Sequence, residues 1–347
     1  MQNALRESEA ADSSGHFRRL GNLMKISMLA MVLILIWLAL MSVAIATGAS
    51  SVLIQEMFLT GSTSHQIVTE IRLPRALLAS LLGAGLALAG ASIQGVFRNP
   101  LADPALIGIS GGAALFAAGY LLISSQPDAA MLGLSGSAML GGLLATGLVL
   151  LVGGRQSDIA TLLLAGIAIN AICLAGVGLL SFLAPEQRLR SVSFWALGSF
   201  NHVGWSDVLM ALIIIPVMLR LLRLAAVLDV LTLGDAEAGH LGINAKRKRL
   251  EVIVWAALIT GVSVSLVGII AFVGLIVPHW IRMTIGAKHV LVLPFSMLGG
   301  ALLLLAADWF SRWLLAPLEL PVGIVTTLLG APIFVILVAR WSRGVWL

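Results

Sequence analysis

Charged residues are scarce in this sequence. Only 11% of its 347 residues are Asp, Glu, Lys or Arg, whereas 59% are hydrophobic. A soluble domain carries about 25% charged residues, and a soluble fold of this length cannot hide so much apolar surface from water. The composition therefore excludes a soluble protein and predicts an integral membrane protein, whose apolar side chains face lipid.

Cysteine is nearly absent as well. The single cysteine, Cys173, lies within an apolar run, which excludes an internal disulfide and a cysteine-based metal cluster. The sequence contains no HExxH motif, and no glycine precedes a lysine, so the phosphate-binding loop GxxxxGK[ST] is missing. We therefore expect no catalytic residue, no metal site and no cofactor in this chain. If ATP is used, another subunit must bind it together with Mg²⁺.

Apolar runs long enough to cross a bilayer fill the sequence after its first 24 residues. A spanning helix needs about 20 mostly apolar residues. We predict an all-α integral membrane fold, with a polar cytoplasmic tail over residues 1–24 and one ten-helix domain over residues 25–347. The predicted spans are 25–47, 72–96, 106–124, 129–153, 158–182, 205–224, 250–269, 271–286, 289–311 and 321–341.

The cations indicate how the chain lies in the membrane. With both termini in the cytoplasm, 16 of the 21 Lys and Arg residues fall on the inner side and five on the outer side. Cytoplasmic loops carry an excess of Lys and Arg, so this distribution supports an even number of spans. Orientation also explains the net charge of +5 without nucleic acid as a partner. The outer cations are Arg72, Arg75, Arg188, Arg190 and Arg312, of which we interpret Arg188 and Arg190 as solvated loop charges.

Carboxylates are few within the apolar runs. Ion-driven carriers usually hold carboxylates near the bilayer midplane, whereas here they lie at span ends or in loops, with Asp308 the deepest. Arg312 follows Asp308 by four residues, so we expect the two to form a structural ion pair on one helix face. This pattern weakens the interpretation as an ion-driven secondary transporter but leaves it open. A receptor or a structural membrane protein is a further alternative.

One polar segment, LTLGDAEAGHLGINAKRKR at 231–249, interrupts the apolar sequence on the cytoplasmic side. Gly234 is suited to a helix C-terminus, Asp235 to capping a second short helix and Gly242 to closing it. The segment therefore predicts two short surface helices over about 228–243. An ordinary polar loop is the alternative.

Seven stretches of the sequence, taken in order, resemble one family of membrane transporters. They are RLPR at 72–75, GAGLALAGASIQGVFRNPLADPALIGISGGA at 83–113, LLLAGIAI at 162–169, FWALGSF at 194–200, LGDAEAGHLGI at 233–243, GIIAFVGLIVPHWIR at 268–282 and ELPVGIVTTLLGAPIF at 319–334. On these stretches the chain resembles the FecCD-type permeases, the membrane subunits of ABC importers for iron–siderophore complexes, haem and cobalamin. The resemblance extends from about residue 25 to the C-terminus.

The resemblance implies a type II ABC importer permease. Such a protein has ten helices per subunit, inverted repeats made of spans two to five and seven to ten, and a homodimer with the translocation path at its interface. Two ATP-binding cassette ATPase subunits and a periplasmic substrate-binding protein complete the complex in the bacterial inner membrane. The stretch SFWALGSFNHVGW at 193–205 looks closest to haem-type permeases, and ferric siderophore and cobalamin are the alternative cargoes.

The resemblance also implies roles for individual residues on the cytoplasmic side. In the family, the loop matching 233–243 forms coupling helices that sit in a cleft of the ATPase. The cytoplasmic gate and pathway are expected at Asn99, Leu101, Leu164 and Asn170, although Asn99 also suits a turn and Asn170 a bond to a neighbouring helix. The expected coupling residues are Gly234, Asp235, Glu237, Ala238, Leu241 and Gly242.

On the outer side, the positions matching Arg72, Arg75 and Arg312 meet glutamates of the binding protein in the family. Arginine suits such contacts because its planar guanidinium can pair with a carboxylate through two hydrogen bonds. For Arg72 and Arg75 the alternative is that they anchor a helix at the lipid headgroups.

Overall fold

The computed structural model describes residues 2–48, 59, 61–124, 130–153 and 159–342. Throughout these ranges the regular structure is helical, with no β-strand, which confirms the predicted all-α fold. In lipid an α-helix satisfies its own backbone hydrogen bonds. The helices are α1 (Gln2–Ala46), α2 (Thr63–Gln66), α3 (Leu73–Phe97), α4 (Ile109–Ile123), α5 (Ala130–Gly153), α6 (Ile159–Leu183), α7 (Glu186–Ala196), α8 (Trp205–Ala211), α9 (Ile214–Arg223), α10 (Ala225–Leu233), α11 (Asp235–His240), α12 (Ala245–Val267), α13 (Val273–Ile285), α14 (His289–Leu314) and α15 (Val322–Ser342).

Within the described residues, seven helical stretches are long and apolar enough to cross a membrane. Three shorter apolar helices coincide with the predicted spans 106–124, 271–286 and 321–341. Each of the ten predicted spans thus falls on helix, but the count of ten crossings stays a prediction. A π-helical segment, Ile67–Arg72, joins α2 to α3 into one helical stretch. The seven long candidates are Met24–Ala46, Thr63–Phe97, Leu132–Gly153, Ile159–Leu183, Trp205–Arg223, Ala245–Val267 and His289–Leu314.

The first helix differs from the prediction in its start. It begins at Gln2 and continues without a break to Ala46, so residues 2–24 of the predicted tail are helical and continuous with the first span. Its apolar part, Met24–Ala46, agrees with the predicted span 25–47. The division into a tail and one membrane domain stays a prediction.

The predicted span 205–224 consists of two helices, α8 and α9. Pro216 lies in the first turn of α9, where its missing N–H has no helical partner to lose. The break at Leu212 and Ile213 comes one turn before this proline, where the proline ring would clash with a regular helix. The proline therefore accounts for the interruption of this apolar run.

Helix α3 forms the centre of the bundle and packs against α12, α13 and α14. A Cβ atom added at Gly83 would lie 2.3 Å from the carbonyl oxygen of Gly300, and one added at Gly90 would lie 1.9 Å from that of Gly274. Both distances are shorter than any real contact, so the backbones approach each other closely only because these positions lack side chains. Small residues at helix contacts are the usual means of tight packing in lipid.

Candidate functional site

The polar segment within 231–249 folds into two short helices, as the sequence predicts. Helix α10 ends at Leu233, α11 covers Asp235–His240, and Gly234 joins them with φ +140°. Gly242 follows with φ +74°. Both φ values lie in the region that favours glycine. The first helix begins at Ala225, three residues before the predicted start of the segment.

Asp235 does not cap α11 through its side chain, which corrects the prediction made from its position. Gly234 is the N-cap residue, and one oxygen of Asp235, Oδ1, instead accepts hydrogen bonds from Arg98 (2.5 Å) and Arg249 (2.7 Å). Two guanidinium groups bind a carboxylate more strongly than a backbone amide does, since these hydrogen bonds are charge-assisted. Arg98 also donates to the carbonyl oxygen of Leu231 on α10 (2.8 Å).

These bonds connect the segment to two membrane helices. Arg98 is the C-cap residue of α3 and has a left-handed backbone conformation (φ 50°), while Arg249 is buried in the first turns of α12. A third connection reaches α14, because Asp229 on α10 accepts hydrogen bonds from the backbone N and from Nδ1 of His289, both at 2.7 Å. The segment α10–α11 is thus attached to α3, α12 and α14.

The surface of this segment is mixed. The side chains of Leu233 and Leu241 are 66% and 63% exposed, whereas Ala238 is fully buried and packs the segment against the membrane domain. The carboxylate of Glu237 lies over Gly234. Exposed leucines beside glycine turns form the kind of apolar anchor that inserts into a protein pocket.

On the other side of the predicted membrane, two arginines converge on one carboxylate. Asp308 is fully buried; its Oδ1 accepts from Nε of Arg75 (2.9 Å), and its Oδ2 lies 3.3 Å from Nε of Arg312. The pair predicted between Asp308 and Arg312 is therefore present. Arg75 also donates to Glu319 (2.8 Å). This arrangement, which we call the outer ion cluster, joins α3, α14 and the segment before α15.

Arg312 of the outer ion cluster and the neighbouring Arg72 also cap the C-terminal end of α1. Arg72 donates to the carbonyl oxygens of Ile45 (3.0 Å) and Ala46 (2.8 Å), and Arg312 donates to that of Ala44 (3.3 Å). The last carbonyls of a helix have no partner within it, so these arginines satisfy them. Arg72, Arg75 and Arg312 are only 3–4% exposed, which contradicts anchoring at lipid headgroups. Docking of a binding protein by these residues stays a prediction that requires them to exchange their present partners.

The two remaining outer arginines differ from each other. Arg188, on α7, donates to the carbonyl oxygens of Leu121 (3.0 Å), Leu122 and Ser124 (2.9 Å) and so caps α4. Its interpretation as a solvated charge is wrong, because α7 lies against the end of α4. The helix α7 itself was missed, since its polar sequence lies in a predicted loop. Arg190 is exposed and has no ion pair among the described residues, as expected.

The predicted gate residues lie on two separate elements. Asn99 and Leu101 form a turn after α3, in which Oδ1 of Asn99 accepts from the amide of Leu101 (2.9 Å). The alternative interpretation of Asn99 as a turn residue is confirmed. Leu164 is 67% exposed on α6, and the buried Oδ1 of Asn170 lies against Gly111 of α4, with no hydrogen-bond partner among the described residues. The gating role of all four stays a prediction.

Asp103 begins the 3₁₀ turn Pro104–Ile107 just beyond these residues, and its Oδ1 accepts from the amide of Ala105 (2.8 Å). Burial raises the pKa of this carboxyl, and the hydrogen bond from Ala105, which favours the ionised form, opposes that shift without cancelling it. A carboxyl in such surroundings is easier to protonate than one in water.

Residues 29–340 match the model of the FecCD transport family. The chain belongs to this family. It is 45% identical, over 81% of its length and 85% of the relative, to the hemin transport system permease protein HmuU of Yersinia pestis. It is 42% identical, over 80% of its length and 84% of the relative, to the vitamin B12 import system permease protein BtuC of Vibrio cholerae.

A solved structure supports the same fold. An inward-facing ABC transporter of the metal-chelate type matches with a TM-score of 0.80 and 32% sequence identity, covering 90% of this chain and 99% of that chain. The chain is thus a type II ABC importer permease of the FecCD family and an integral membrane protein. Family members work with ATPase and substrate-binding partners, which confirms these predictions at the level of the family.

In this FecCD permease a buried polar contact between α3 and α13 was not predicted from the sequence. Pro278 lies inside α13 and has no N–H, so the carbonyl oxygen of Gly274 loses its helical partner. The side chain of Gln94 supplies the missing donor, because its Nε2 donates to the carbonyls of Gly274 and Leu275, both at 3.3 Å. Arg282 donates in turn to Oε1 of Gln94. The signal was the proline in VPHWIR, four residues after a glycine.

Proposed function

We propose that this chain is the membrane-spanning subunit of an ATP-driven importer that carries haem across the bacterial inner membrane by alternating access. Haem is supported by the 45% identity to the hemin permease of Yersinia pestis. The stretch 193–205, which looks closest to haem-type permeases, supports the same cargo. Both termini lie in the cytoplasm in this proposal.

The observation that carries the ATP-driven mechanism is the attachment of α10–α11 to α3, α12 and α14. Force applied to this segment reaches three membrane helices through short polar contacts, while Leu241 stays available on the surface. The ATPase therefore docks on the segment, and closure of its ATP sites moves the bundle. The coupling residues in this proposal are Gly234, Asp235, Glu237, Ala238, Leu241 and Gly242.

The proposed complex contains two copies of this ten-helix chain, with inverted repeats on either side of the path, two ATPase subunits that bind ATP and Mg²⁺, and a periplasmic binding protein. This chain contributes neither a catalytic residue nor a cofactor site. The exposed apolar side chains of α6, among them Leu164, Ile172 and Leu179, fit a second copy or lipid. Asn99, Leu101, Leu164 and Asn170 line the inner part of the path, and Arg72, Arg75 and Arg312 receive the binding protein.

Cobalamin is the second candidate cargo. It is favoured by the 42% identity to the vitamin B12 permease of Vibrio cholerae, which is close to the identity with the hemin permease. A ferric siderophore is the third. An ion-driven carrier is disfavoured, since the deepest carboxylate, Asp308, is occupied by Arg75 and Arg312.

Reconstitution tests the proposal. The chain, its ATPase and its binding protein are placed in liposomes, and ATP-dependent uptake of hemin, cobalamin and a ferric siderophore is compared. We expect hemin uptake that disappears when the ATPase carries a substitution in its phosphate-binding lysine. Preferential uptake of cobalamin would replace haem by the second cargo, and uptake without the ATPase would contradict the mechanism.

A further inference from the structure

A cavity of about 510 Å³ lies at the predicted outer end of the bundle. Its walls come from α7, the loop between α7 and α8, the end of α12 and the residues just before α15. This volume lies within the range of about 300–1,000 Å³ that is typical of small-molecule sites. None of the roles proposed above uses it.

The loop that forms much of this wall is held in place by its backbone. The amide of Ser199 donates to the carbonyl of Val267 (2.8 Å), and the amide of Gly323 donates to the carbonyl of Gly198 (3.2 Å). Gly198 has φ +68°, which makes the turn, and Phe200 is buried at 1% exposure. The wall is therefore preformed, and a preformed site loses little entropy when it binds a ligand.

The charge in the lining is unbalanced. Its carboxylate, Glu319, already receives a hydrogen bond from Arg75 (2.8 Å). Arg190 lines the same cavity, is exposed, and makes no ion pair within the part of the chain that the structure describes. His202 is a second exposed nitrogen-bearing side chain in the lining. The unmatched group is thus a guanidinium, which favours an anionic ligand and above all a carboxylate.

Aromatic side chains complete the cavity. Phe194 and Trp195 lie four and five residues after Arg190 on α7 and line the cavity with it. Aromatic rings contribute large, rigid apolar surfaces that pack against other flat rings. A cation beside two aromatic rings therefore suits a planar ring system that bears carboxylates at one edge.

We propose that this cavity is a subsite for a planar, carboxylate-bearing iron chelate, which occupies it on the way to the translocation path. Arg190 pairs with a carboxylate of the cargo, His202 donates a ring N–H to the same anionic edge, and Trp195 and Phe194 pack against the ring. The inference rests on the proposed function, because it specifies the chemistry of the cargo. It also gives a role to Arg190 and to the stretch 193–205.

The test compares two probes on the complete permease–ATPase complex in lipid nanodiscs, without the binding protein. The probes are hemin, which has two propionate groups, and its dimethyl ester, which has the same ring without the charges. Arg190→Gln should weaken the binding of hemin about tenfold and leave the binding of the ester unchanged. Trp195→Ala should weaken both. The control is Arg223→Gln, which removes an exposed cation from the other end of the bundle, and empty nanodiscs correct for partition into lipid.

Three results would overturn the subsite: no binding of hemin by the native complex, hemin affinity within twofold of native in Arg190→Gln, or equal losses for hemin and ester. The affinity of the binding protein for each complex is measured separately; if Arg190→Gln weakens that affinity alone, the residue docks that protein and the subsite is likewise rejected. Assembly with the ATPase and its basal ATP hydrolysis verify that each variant folds. Hemin uptake by the native complex in liposomes is measured in parallel, so that failure of the subsite alone is distinguished from failure of the proposed function.

Discussion

At the scale of single residues, the buried charges of the outer ion cluster compensate one another. Asp308 is fully buried between Arg75 and Arg312, and the carbonyls at the end of α1 receive the other donors of the cluster. Removing one member of a buried ion group leaves the others unpaired, which costs more than the pair contributes in net stability. The outer ion cluster should therefore respond strongly to substitutions that preserve shape and remove charge.

Asp308→Asn should lower the free energy of unfolding by roughly 3 kcal/mol, since two buried guanidinium groups lose their shared carboxylate. Reversible denaturation in mixed detergent micelles measures this loss. Glu186→Gln is the control, because Glu186 is exposed in the first turn of α7, and we expect a change below about 0.5 kcal/mol. Equal effects of the two substitutions would contradict the structural importance of the cluster.

Gln94 should matter more while Pro278 is present, and its contact with Arg282 is independent of the proline. With Pro278→Ala, the N–H at position 278 can bond to the carbonyl of Gly274, and the donor on Gln94 becomes dispensable. A double-mutant cycle of Gln94→Leu and Pro278→Ala should therefore give a coupling free energy of about 1 kcal/mol. Strictly additive losses of unfolding free energy would show that Gln94 does not compensate for the proline.

These residues show the limits of sequence reasoning. The pair Asp308–Arg312 was predicted because four residues separate its members on one helix. Arg75 and Asp308 are 233 positions apart, and Arg98 and Asp235 are 137 apart, so only the packing of distant helices brings them together. Local spacing also misled, because Asp235 stands where a cap residue is expected and two distant arginines take its carboxylate.

At the scale of secondary-structure elements, the two short helices α10 and α11 have one side bonded to the membrane helices and one side that is exposed. Asp229 and Asp235 bind the membrane helices, while Leu233 and Leu241 are exposed. The glycines that flank α11 made these helices predictable from sequence, and the length of the apolar runs did the same for the spans. Helix α7 was missed because its charged sequence, EQRLRSVSFWA, has neither feature.

Leu241→Glu should weaken association with the ATPase at least tenfold and leave the stability of the permease unchanged, because the side chain is 63% exposed and loses no internal contact of note. Co-purification with the ATPase and thermal denaturation of the isolated permease give the two readouts. Unchanged association would remove Leu241 from the docking surface.

Asp235→Asn should have the opposite effect: it should preserve association with the ATPase and impair the coupling of ATP hydrolysis to transport. The exposed leucines remain, so the ATPase still binds, but the links to Arg98 and Arg249 weaken because the carboxylate charge is gone. We expect about a tenfold fall in cargo transported per ATP hydrolysed, measured in proteoliposomes. Arg247→Gln, at an exposed position on the same surface, serves as the control and should retain the native ratio. If Asp235→Asn retained the native amount of cargo transported per ATP hydrolysed, the contacts of Asp235 with Arg98 and Arg249 would not be the ones that couple the ATPase to the membrane helices.

At the scale of the whole molecule, the number of crossings decides the orientation of the termini. If only the seven long helices crossed the membrane, an odd number would place the two ends of the chain on opposite sides. If the three shorter apolar helices cross as well, the number is even and both ends face the cytoplasm. The cation distribution favours the even number, because it then places 16 of 21 Lys and Arg residues inside.

Cysteine labelling separates these topologies. The native chain has one cysteine, Cys173, which is buried, so its background reaction with a membrane-impermeant maleimide should be low. Gln2→Cys and Ser342→Cys should both react in inverted vesicles and be protected in intact spheroplasts, whereas His202→Cys, in an exposed loop at the predicted outer end, should show the reverse pattern. Reaction of the two terminal cysteines from opposite sides would refute an even number of spans. It would also change the side of the membrane on which α10–α11 lies, and with it the side from which the ATPase docks.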